Sequence, residues 1–264
     1  MNTPIAFRSI FGILLATLTL EANAQLLPGT LSFSVSGSFE NGVGQGTSSI
    51  LITDNDLTNG HAPGMDLYDS PAAMNPNGPA GSAAFQWGVA ADWSSYAHTS
   101  ALWFQPIDVV DVAANQFFNL GILHYRNGTI QSRTGAAAVD LALQLNFSNP
   151  SSLSPISTRF TNDLINTPNS SDPVASADIV SIRNPAAPMN FTDSSGNRYF
   201  LELSFKVDQT TIDGSLSTFD EFRVFEGGLG RADLLGRFTT SPIPEPSSAM
   251  LGVLGMMVLF RRKR

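Results

Sequence analysis

Two unbroken alternations constrain this chain more than any other feature. Val139, Leu141, Leu143, Leu145 and Phe147 alternate with Asp140, Ala142, Gln144 and Asn146, and Tyr199, Leu201, Leu203, Phe205 and Val207 repeat the pattern. An apolar residue at every second position gives an extended strand one greasy face, whereas a helix needs a period of about 3.6. Such a strand must cover that face against a second layer. Leu31, Phe33 and Val35 alternate with serines in the same way. Further strands are predicted at 49–53, 84–89, 101–104, 116–125, 178–183, 222–225 and 234–238. In the 116–125 strand, simple alternation puts Phe118, Leu120, Ile122 and His124 on one face and Phe117, Leu123 and Tyr125 on the other. Asn127-Gly128 has the chemistry of a type I′ turn, so a hairpin is predicted with Thr129-Ile130-Gln131 as the returning strand. The sum is about ten strands, with no helical period outside the two ends and no internal repeat. The predicted fold is all-β: an antiparallel two-sheet β-sandwich, jelly-roll-like, with an N-terminal signal helix and a C-terminal hydrophobic helix.

The two ends read as addresses. Residues 1–24 form a signal peptide: a short n-region with Arg8, an apolar stretch from Ile10 to Leu20, and the small-residue cleavage site Ala22-Asn23-Ala24 before Gln25. Residues 243–264 form a tail: Pro244-Glu245-Pro246, an apolar run from Ala249 to Phe260, and the cations Arg261, Arg262, Lys263 and Arg264. The run of twelve is short against the roughly 20 apolar residues needed for a permanent span. It suits transient retention through residues 246–260, with the basic end left cytoplasmic. The alternative is a plain C-terminal membrane anchor. Between them, 25–242 is long enough for one extracellular domain with a single core.

Charge and cysteine content remove whole function classes. The chain carries a net charge of −8, and five of its 14 cations but only two of its 22 anions lie in the end segments. The middle therefore holds nine cations against twenty anions, with Lys206 its only lysine. Such a domain repels nucleic acid and anionic lipid. With no cysteine there is no disulfide, thiol catalysis or thiolate metal site.

The tail, Pro244-Glu245-Pro246 followed by the apolar run and the basic end, resembles that of PEP-CTERM proteins. The resemblance implies an exported protein of a Gram-negative bacterium, handled by Sec and signal peptidase, then recognised through its tail by an exosortase. It also implies a cell-surface or extracellular-matrix fate beside exopolysaccharide. In the middle, Phe85-Gln86-Trp87-Gly88, Ser100-Ala101-Leu102, Phe118 to Leu123 and His124-Tyr125-Arg126-Asn127-Gly128 resemble the choice-of-anchor K domain and the related THxN group. Leu123 stands where the THxN group has threonine. Neither resemblance implies an activity.

Two stretches offer binding chemistry. Asp54, Asp56, Asp66 and Asp69 lie in a long Pro- and Gly-rich loop whose start resembles a calcium loop, with hard oxygen ligands at alternate positions. The glycine falls one place late and Met65 occupies the twelfth position, so a solvated loop of Asx turns is the competing reading. Calcium is the one ion this chemistry suits, and no other cofactor is expected. The three tryptophans, Trp87, Trp93 and Trp103, fall within 17 residues. Trp87 and Trp103 sit in predicted strands and are read as buried, whereas Trp93 and Tyr96 lie in a predicted loop and are the candidate glycan-stacking pair. His61, His98 and His124 are too far apart in sequence to form a zinc motif. The chain has no G-x-S-x-G, no S-x-x-K and no P-loop. The expectation is a non-enzymatic structural or adhesive surface protein, the alternative a lectin-like carbohydrate-binding module assisted by calcium.

Overall fold

The computed structural model describes residues 29–55, 81–91, 98–151, 153–192, 198–210 and 214–239. The predicted signal and tail helices lie outside them. The described chain is all-β and forms fourteen strands: β1 (Leu31–Gly44), β2 (Leu51–Asp54), β3 (Ala83–Trp87), β4 (Ser100–Pro106), β5 (Val109–Val112), β6 (Phe118–Arg126), β7 (Ala136–Asn149), β8 (Ile156–Ile165), β9 (Asp178–Ile182), β10 (Ala186–Thr192), β11 (Arg198–Phe205), β12 (Ser215–Ser217), β13 (Glu221–Val224) and β14 (Leu229–Thr239). They build two curled antiparallel sheets of seven strands each. Sheet I has the order β12-β13-β9-β8-β7-β1-β5, and sheet II the order β10-β11-β14-β6-β4-β3-β2.

The long alternating strands sit where the pattern requires. In β7, Val139, Leu141, Leu143 and Leu145 are buried while Asp140, Ala142, Gln144 and Asn146 face outward. β1 pairs along almost its whole length with β7, from Phe33 opposite Phe147 to Gly44 opposite Ala136. Rings from both sheets meet in one core. Phe33 of β1 lies 5.5 Å from Phe118 of β6 and 5.8 Å from Phe238 of β14. A second line of rings crosses the core from Phe39 through Phe85, Trp87, Tyr125 and Phe222 to Phe205, at centroid spacings of 5.4–6.3 Å.

Four strands, β5, β8, β10 and β12, go beyond the sequence expectation. β8 was obscured because its inward positions read Ile156, Thr158, Phe160, Asn162 and Leu164, so two polar residues interrupt the apolar period. β10 contains Pro188 and, among the described residues, pairs only with β11, an edge position that tolerates a missing N–H.

Two local expectations are corrected. Asn127-Gly128 is not a hairpin turn: neither residue has positive φ, and Thr129–Gln131 does not return along β6. Both flanks of β6 are already taken, by β4 and β14, so no edge remains for a hairpin partner. Instead Ile130 bridges Ala90, and the Gln131 N–H donates to the Val89 carbonyl at 2.7 Å. Gly128 serves close approach, because a Cβ there would run into the His98 carbonyl. The second correction concerns the faces of β6. Opposite β14, the register jumps between Asn119 and Gly121, leaving Leu120 as an extra residue. That bulge shifts the phase, so Phe118 and Leu120 share the core with Leu123 and Tyr125 while Ile122 and His124 turn outward.

Candidate functional site

Of the residues singled out by sequence, Asp54 alone among the calcium candidates is described. It ends β2, opposite Ala84, and is buried. Asp56, Asp66 and Asp69, the aromatic pair Trp93 and Tyr96, and both terminal segments (Ala22, Ala24, Gln25; Pro244 to Pro246; Arg261 to Arg264) lie outside the described residues. Among the described residues, no three His, Asp or Glu side chains converge as metal ligands.

Trp87 and Trp103 are both buried, on opposite faces of sheet II. Trp87 points into the core and stacks on Tyr125 at 5.7 Å. Trp103 packs on the outer face with Ala84, Ala101, Ile52 and Leu229. The Arg126 guanidinium lies 5.4 Å above its ring and donates from Nε to the Thr99 carbonyl at 3.0 Å and from Nη2 to Thr99 Oγ1 at 2.9 Å. A ring covered in this way is closed to stacking on a sugar. His124, two residues before Arg126, lies between Trp103 and Arg231 in the strand register. Burial first, and the Arg231 charge second, hold its imidazole below the ordinary histidine range.

A cluster of ionisable groups joins the two sheets where β6 passes β9. Asp178, the first residue of β9, is 5 % exposed. Its Oδ1 accepts from the Thr167 backbone N–H at 2.8 Å and from Thr167 Oγ1 at 3.4 Å. Among the described residues, its Oδ2 meets only the Tyr125 hydroxyl, at 3.5 Å, which is the outer limit of a hydrogen bond. Beside them lies a cavity of about 10 Å³, lined also by Trp87, Gln45 and Asn166, room for a single water. Glu226, in the turn between β13 and β14, accepts from Thr129 Oγ1. Burial, then the Glu226 charge, raises the Asp178 carboxyl from 3.8 to about 7, against the opposing pull of the Thr167 hydrogen bonds. Burial, followed by the charges of Asp178 and Glu226, pushes the Tyr125 hydroxyl well above its ordinary range. The sequence carries a signal for this site that strand periodicity alone passed over. Asp178 alternates in phase with Val180 and Ile182, so a carboxylate occupies a core position.

The open surface of sheet I has a different chemistry. Its central strands form a groove of about 730 Å³ across β1, β7 and β8. Two cross-strand rows line it, Ser36, Gln144 and Ser157, then Ser38, Ala142 and Arg159, and the next row, Glu40, Asp140 and Thr161, meets it at Glu40. Arg159 pairs with Glu40 at 2.7 Å, and Asp140 accepts from Thr161 Oγ1 at 2.7 Å and from Asn41 Nδ2 at 2.9 Å. The groove therefore offers hydroxyls, an amide and a compensated ion pair, with Ala142 as its floor.

No protein-family model matches the chain, and no curated protein shows significant similarity to it.

Proposed function

We propose that this is an exported structural or adhesive protein of the Gram-negative cell surface or extracellular matrix, without enzymatic activity. In this reading an exosortase sorts it through Pro244-Glu245-Pro246, and it associates with exopolysaccharide. The observation that carries it is the order of three elements at residues 243–264: the Pro-Glu-Pro motif, a short apolar run and a basic end. The apolar run suits brief retention in the inner membrane while a membrane enzyme acts near Glu245. The two sheets are read as a jelly-roll-like sandwich, a compact outward-facing body that needs no disulfide. In the native host, Glu245→Ala or deletion of residues 261–264 should leave the full-length mass in the membrane fraction. Unchanged processing and release in both variants would reject sorting through the tail.

A second reading, a lectin-like module, draws on the sheet I groove. Hydroxyl and amide groups in adjacent rows suit a neutral polyol better than an anionic polymer, which the acidic domain repels. A glycan array with and without chelator tests it. Binding weakened several-fold by Gln144→Ala supports the groove. Binding lost only with chelator assigns it to the loop of Asp54, Asp56, Asp66 and Asp69, and no binding at all removes this reading.

A further inference from the structure

We infer that Asp178 is a proton-controlled latch between the two sheets, closed when its carboxyl is protonated and loosened when the proton is lost. The argument starts from an imbalance between its two oxygens. Oδ1 is held by Thr167 through the backbone N–H and the hydroxyl. Among the described residues, Oδ2 has only the Tyr125 hydroxyl, too distant to offset a buried negative charge. A proton on Oδ2 removes that charge and provides a donor toward the Tyr125 oxygen or a water in the adjoining cavity. On deprotonation the proton passes to solvent, and the new charge has little compensation. Among the described residues, the ionisable groups facing Asp178 are Tyr125 from β6 and Glu226 from the β13–β14 turn. Gln45, Asn166 and Trp87, which line the cavity with them, are neutral. No cation among the described residues answers the carboxylate there, and Glu226 opposes it.

The position makes this more than a local matter. Asp178 belongs to sheet I and Tyr125 to sheet II. The Tyr125 ring is fixed between Trp87 at 5.7 Å and Phe222 at 6.3 Å, so it cannot move toward the carboxylate without disturbing the core. Asp178 is also paired with Val224 of β13, and Val224 in turn accepts from Asn127 Nδ2 at 3.0 Å. Charge at Asp178 therefore strains the join between β9, β13 and the end of β6.

The sign follows from linkage. The folded carboxyl titrates near 7, above its ordinary value of 3.8, so between those values the folded state keeps a proton that the unfolded chain has released. Stability from this group is full at low pH, falls as pH rises toward 7, and is level above. His98 and His124 are both held below the ordinary histidine range, first by burial, and act with the opposite sign as pH falls. The readout is therefore the difference between wild type and Asp178→Asn, whose amide imitates the neutral acid.

Thermal unfolding of the purified full chain from pH 5 to pH 9 tests the latch. The wild-type Tm should fall relative to Asp178→Asn by on the order of 5–10 °C between pH 5 and pH 8. Deuterium uptake in peptides covering 164–180, corrected for intrinsic exchange, should rise above pH 7 in wild type, while peptides covering 138–147 stay protected. Glu226→Gln removes the opposing charge and should move the transition to lower pH. A constant difference between wild type and Asp178→Asn across the range overturns the proposal. If Asp178→Asn fails to fold, Glu226→Gln decides, and an unmoved midpoint overturns it.

Discussion

At Gly128 a single hydrogen atom decides whether two segments of backbone can meet. The Ser100 hydroxyl accepts from the Gly128 N–H and lies within bonding distance of its carbonyl, 3.2 Å in each case, so the 98–100 segment is clamped to the end of β6. A methyl group would displace that clamp. Gly128→Ala should destabilise the protein by about 2–3 kcal/mol, read from urea unfolding. An exposed turn glycine would lose much less. Phe33 makes a similar point through volume. Its ring contacts Phe118, Phe147 and Phe238 within 5.8 Å, and Phe33→Ala should cost about 3–5 kcal/mol. Val110→Ala, at a side chain 73 % exposed, should stay within about 0.5 kcal/mol. Equal losses at both positions would contradict the assignment of Phe33 to the core. Among ion pairs, Arg159–Glu40 is solvent-exposed and adds little, whereas Arg237–Glu202 holds a glutamate that is nearly buried.

At the scale of elements, the edges of the two sheets are blunted in different ways. β2, β5 and β12 are only three or four residues long, and β10 contains Pro188. Each device denies another chain a long row of free N–H and C=O groups. Replacing Pro188 with threonine should restore a donor on β10 and raise self-association, measured by light scattering at constant far-UV signal. An unchanged scattering profile would show that the proline does not guard this edge. The bulge at Leu120 explains why the apolar pattern of β6 misled. The strand is regular on either side, but one inserted residue exchanges its faces. β8 was hidden for another reason, since Asn162 lies buried at a position that the period reserves for an apolar side chain.

At the scale of the whole molecule, both sheets contribute to one continuous apolar cluster, from Leu31 and Phe33 in sheet I to Leu234 and Phe238 in sheet II. Such a core should unfold as a unit, with tryptophan fluorescence and far-UV circular dichroism giving coincident urea midpoints. Two separated midpoints would mean that the sheets unfold independently. The buried Asp178–Tyr125 contact crosses between the sheets, so pH acts on the same unit.

The sequence by itself determined the all-β class, the long strands β1, β7 and β11, the burial of Trp87 and Trp103, and the acidic character of the middle. Those properties are local: period-two burial is written into consecutive residues, and charge is a sum over them. The tertiary structure decided what depends on neighbours distant along the chain. Asn127-Gly128 has every local feature of a hairpin turn, yet β6 had no free edge on which to form one. Asp178 lies in phase with Val180 and Ile182, but only its burial between the two sheets, with the Glu226 charge brought in from the β13–β14 turn, changes its chemistry. The groove on sheet I likewise exists only because residues 36–40, 140–144 and 157–161 are brought side by side.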